Sequence, residues 1–145
     1  MNGETDYKAL AQLSRAHMAA VWARARQDNG PLNTEDQILA DLMEMHPQYY
    51  GFWESIEQYG DRFFDPTCED NPFLHVSLHV AVERQIRAGA PLLVLQTVQR
   101  LVARGDDPHD ARHAVMAVLV RQLWDRTMQG RPFDVQRYAA ELERL

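Results

Sequence analysis

The chain has 145 residues, a hydrophobic fraction of 46% and a formal net charge of −6. That length suits one domain and buries roughly two-thirds of the unfolded chain's surface. The acidic balance argues against a nucleic-acid binder that works by phosphate neutralisation, and against docking on an anionic membrane. Lys8 is the single lysine and the arginines form no polybasic run, while a protein partner or self-association stays open. Cys68 is the single cysteine, which excludes an intramolecular disulfide. The N-terminus is polar and acidic without a signal-peptide core, and no apolar stretch is long enough to span a bilayer, so the cytoplasm is the expected location.

Helical periodicity dominates and no strand alternation competes with it, which predicts an all-α, single-domain bundle of about six helices over 1–145. Tyr7, Leu10, Ala11, Met18, Val21, Trp22 and Ala25 recur every three or four residues and predict a long first helix closed by Gly30-Pro31. Thr34 followed by Gln37 reads as a capping box for a second helix that carries Ile38, Leu39, Leu42, Met43 and His46. Pro47 ends it and opens a short third helix with Tyr49, Phe52, Trp53 and Ile56 on its apolar face. From Gly60 to Pro72 the chain reads as an irregular loop, with Phe63 and Phe64 expected to pin it to the core. Asn71-Pro72 is a cap-plus-proline helix start, and the fourth helix should run to Ala88, before Gly89. Pro91 opens a fifth helix that ends at Gly105. Asp107-Pro108 repeats the same start for a sixth helix reaching Gln129, before Gly130. A short last helix from Asp134 carries Tyr138, Leu142 and Leu145. Trp22, Trp53 and Trp124, with Met43, Met45, Met116 and Met128, read as packing residues. His17 reads as a surface residue.

Two histidine pairs stand out, His75 with His79 and His109 with His113, each at i, i+4 in the opening turns of a helix. That spacing puts two imidazoles on one helix face. The turns around the fifth helix are short, so the fourth and sixth helices should run parallel with both starts at one end. The pairs then lie at similar depth and can meet. His46, at the end of the second helix, reaches the same end if that helix runs opposite to the fourth. Glu83 lies one turn beyond His79 and is a candidate carboxylate ligand. Imidazole and carboxylate ligands suit a divalent transition metal such as zinc or iron. The expected ligands are therefore His75, His79, His109 and His113, with His46 or Glu83 completing the shell. An open position would allow water activation or oxygen chemistry, a closed one would be structural. The competing reading makes the histidines a satisfied polar cluster. The protein is then an interaction module, acting through the Asp61–Asp70 loop with Phe63 and Phe64 or through the Tyr49–Trp53 aromatics. Cys68 sits in a loop with nothing to lower its pKa. Ser77 faces away from both neighbouring histidines. Neither makes a convincing nucleophile.

The segments HPQYY (His46 to Tyr50), NPFLHVSLHVAVERQI (Asn71 to Ile86) and HDARHAVMAVLVRQLW (His109 to Trp124) resemble the bacterial domain-of-unknown-function family 1841. The resemblance runs from about Leu32 to about Tyr138, with the stretch around Asn71 to His79 its most specific part. It implies a small cytoplasmic helical protein. It also implies that His46, Asn71, Pro72, His75, His79, His109 and His113 sit at motif positions, and it supplies no activity. Members often carry Glu where this chain has Gln48, His where it has Tyr50, and Glu where it has Ala117. The carboxylate complement is thinner here.

Overall fold

Glycines and prolines punctuate the chain, and in the computed structural model it is helical between them. The structure describes residues 3–27, 30–65 and 68–145, with side chains from residue 14 onward. The elements are α1 (Gly3–Gln27), α2 (Thr34–Glu44), α3 (Tyr50–Trp53), α4 (Pro72–Ala88), α5 (Leu92–Ala103), α6 (Pro108–Gln129) and α7 (Val135–Glu143). Single 3-10 turns cover Pro47–Tyr49 and Ile56–Gln58. Among the described residues there is no strand, so the all-α class is as expected. No described helix is long and apolar enough to cross a membrane. The chain forms two compact units, Met1–Val76 and Ser77–Leu145, and the division falls inside α4, between His75 and His79.

Caps set the helix starts. Asn71 accepts from the backbone N–H groups of Phe73 and Leu74, both at 3.1 Å. Asp107 accepts from those of His109 at 2.8 Å and Asp110 at 3.3 Å. These four bonds satisfy donors that the first helical turn leaves over. The cap of α2 corrects the expected capping box. Asn33, not Thr34, takes the N-cap and accepts from Asp36 N–H at 2.8 Å, and Thr34 is the first helical residue. An amide one residue earlier is as good an acceptor as a hydroxyl, and it wins here.

In the first unit Met18, Val21, Trp22, Leu39, Leu42, Met43, Trp53 and Phe73 are buried together. Trp53 donates from its indole nitrogen to the Met43 carbonyl at 3.2 Å, which ties α3 to the end of α2. Arg15 is buried with its guanidinium on the carbonyls of Gly60 (3.0 Å) and Arg62 (2.8 Å), 4.4 Å over the Phe73 ring. That side chain anchors the segment after the second 3-10 turn. His17 is exposed, as expected, and meets Asp36 at 2.8 Å. The apolar side chains expected at Tyr7, Leu10 and Ala11 lie outside the described residues.

In the second unit Leu78 and Val82 of α4 pack with Val94, Val98 and Leu101 of α5. Ala111, Val115, Met116, Val118 and Leu119 of α6 and Tyr138 and Leu142 of α7 complete that core. Arg100 closes α7 onto α5 by donating to the Leu142 carbonyl at 3.1 Å. Several expected core residues lie outside: Phe63 is 66% exposed, Trp124 48%, Met128 61% and Met45 51%. Phe64 alone of the Phe63–Phe64 pair is buried. Trp124 and Met128 share one stripe of α6 with Ala117 and Arg121, all exposed, whereas the core of this unit takes Val115, Val118, Leu119 and Gln122.

Two outcomes follow from these contacts. Asn71→Ala and Asp107→Ala should each cost about 1 kcal/mol in urea unfolding, while Leu101→Ala should cost about 2–5 kcal/mol. A neutral Asn71→Ala contradicts the cap. The second concerns Tyr138, whose burial favours the neutral phenol and pushes its pKa up to about 12. A folded pKa above the ordinary value of about 10 supplies stability that is complete below about pH 10 and is lost as pH rises through about 12. Alkaline titration followed by tyrosinate absorbance should show a late step that Tyr138→Phe removes.

Candidate metal centre

The first two turns of α4 and of α6 carry the imidazoles. Val76, Leu78 and Val82 turn one side of α4 inward, and His79 falls among them at 1% exposure. On α6, Ala111 and Val115 are fully buried, which sets His109 and His113 at the edge of the same core. The His79 and His113 rings approach with Nε2 atoms 2.9 Å apart. His109 stacks on His79 with centroids 4.7 Å apart and meets His113 edge-on at 4.3 Å. One ring nitrogen from each of the three lies within 4.8 Å of the other two. Four-coordinate zinc with bonds near 2.0–2.1 Å separates its nitrogen ligands by about 3.4 Å, so small ring rotations bring the three onto one ion.

Two α-helix starts present positive dipole ends, which oppose a cation. Asp107 at the cap and Asp110 in the first turn offset this on α6. Asp110 Oδ1 lies 3.9 Å from His113 Nδ1, on the ring edge opposite the nitrogen that faces His79. A carboxylate there favours the tautomer that leaves Nε2 with its lone pair.

Glu83 is placed one turn beyond His79, with its carboxylate on Arg112 Nε at 2.9 Å and Arg87 Nε at 3.8 Å. It is not among the grouped ligand atoms. In the first unit, His75 meets His46 with Nε2 atoms 3.0 Å apart. His46 is buried, and its Nδ1 lies 2.6 Å from the Leu42 carbonyl. A carbonyl can only accept, so His46 Nδ1 is the donor and the neutral ring keeps its lone pair on Nε2. Tyr49 stacks on His46 with centroids 5.7 Å apart, and His75 sits edge-on to both rings. The Tyr49 hydroxyl donates to Asp70 at 3.4 Å, and burial together with that carboxylate raises its pKa.

The structure thus joins His79 to both members of the second pair and joins His75 to His46. Asp110 could have been read from its spacing three residues before His113. Arg112 carries no local signal, because its partner lies 29 residues away. Of the alternative docking surfaces, Tyr49 and Trp53 are buried, whereas in the Asp61–Asp70 loop Phe64 is buried and Phe63 is exposed. Cys68 is exposed.

No curated protein and no solved structure matches the chain. The family model described as a domain of unknown function, DUF1841, matches residues 11–144, and the chain belongs to that family.

Proposed function

We propose that this protein binds one divalent transition metal, zinc or iron, through His79, His109 and His113. The observation that carries the reading is a buried imidazole on α4 facing two imidazoles on α6. Three neutral nitrogens from two rigid helices are a suitable donor set for such ions. Three protein ligands also leave a fourth position for water or a substrate atom, the pattern of catalytic rather than closed structural sites. A metal held this way would lower the pKa of its bound water and supply a nucleophile near neutral pH. The chain's own contribution is the donor set, the Asp110 carboxylate behind His113 and the apolar packing under His79.

Metal that binds only the folded chain raises the melting temperature by mass action. Protons compete for imidazole lone pairs, so the gain should be present near pH 7.5 and shrink near pH 5.5, below the ordinary histidine pKa of about 6.5. Thermal melts of metal-loaded and chelated protein read this directly. His79→Ala and His113→Ala should each remove most of the gap, and His17→Ala should leave it intact. If zinc, iron, manganese and nickel all leave the melt unchanged near pH 7.5, the imidazoles are structural. An exposed surface then carries the function.

A further inference from the structure

We propose that the Glu83–Arg112 ion pair positions the imidazoles, fixing the spacing of α4 and α6 beside them. The inference rests on the metal reading. Glu83 follows His79 by one helical turn, and Arg112 directly precedes His113 and follows His109 by three residues. The pair thus bridges α4 and α6 next to the imidazoles. Two nitrogens of the Arg112 guanidinium are engaged. Nε donates to Glu83 Oε2 at 2.9 Å, and Nη1 donates to the Pro108 carbonyl at 3.0 Å, in the first turn of α6.

Glu83 has a local alternative in Arg87, one turn along its own helix, yet that contact is longer at 3.8 Å. The carboxylate is therefore committed across the helix interface. Both partners are mostly shielded, at 17% exposure for Glu83 and 24% for Arg112, so solvent screens the pair less than a surface contact. A carboxylate already held by the Arg112 guanidinium is a poor metal ligand, and its use is to hold His79 at a set distance from His109 and His113. Outer-layer groups that orient ligands commonly change metal affinity 10- to 100-fold.

The test is zinc affinity of the chelated full-length chain by competition titration, with the cobalt(II) visible spectrum as a second readout. Arg112→Met and Glu83→Gln should each weaken zinc about 10- to 100-fold and alter the cobalt spectrum. The swap of Glu83→Arg with Arg112→Glu should recover most of the loss, because it restores the ion pair with reversed polarity. Circular dichroism confirms that each variant is helical, and the swap keeps the test decisive if a single variant unfolds. A pair that matters only for stability lowers the melting temperature of the metal-free protein and leaves zinc affinity unchanged, which overturns the inference. Loss of affinity in Glu83→Gln but not in Arg112→Met makes Glu83 a ligand and also overturns it. If the parent protein binds no zinc or cobalt, the metal reading itself has failed, and the inference falls with it.

Discussion

A buried imidazole has to be accommodated, and His79 imposes that requirement where α4 meets α6. Removing a polar ring from water without partners costs on the order of 1–3 kcal/mol, judged from protein substitutions. Here the partners are other imidazoles, with Nε2 of His113 2.9 Å away and the His109 ring stacked alongside. Two Nε2 atoms at that distance are either one N–H donating to one lone pair, or two lone pairs turned on a shared cation. The first arrangement ties up one donor and one acceptor. The second uses all three rings at once, and the carboxylate of Asp110 on the far side of His113 suits it. The caps at Asn71 and Asp107 matter because they decide where α4 and α6 begin, and so how deep each imidazole sits.

Much of the fold was legible because it is written locally. Proline and glycine mark the ends of α4, α5 and α6, and the asparagine and aspartate caps sit where their short side chains reach the first free N–H groups. The i, i+4 spacing of the histidines needed only helix geometry. The capping-box expectation failed by one residue. Asn33 and Thr34 are both competent caps, and a four-residue pattern cannot choose between them. The core expectations failed at Trp124, Met45, Met128 and Phe63 because an apolar side chain does not say which face of a helix is covered.

The pairings around the candidate centre were less legible than the meeting of His79 with His109 and His113. His46 with His75, and Glu83 with Arg112, are each 29 residues apart, and neither leaves a local signature. Glu83 illustrates the difficulty. Its spacing after His79 is what a ligand would show, and its actual partner is an arginine on another helix. Arg15 is a similar case: an arginine in an amphipathic helix reads as solvated, yet it is buried on backbone carbonyls of a segment about 45 residues later. Such contacts come from tertiary placement, and a single sequence carries no record of them.

X-ray absorption at the metal edge of the purified, untagged protein, with elemental analysis of the same sample, tests the central claim most directly. The account predicts about one zinc or iron per chain, with imidazole nitrogens at about 2.0–2.1 Å. A protein isolated and reloaded without any stoichiometric metal contradicts it. So does a bound metal whose shell lacks imidazole.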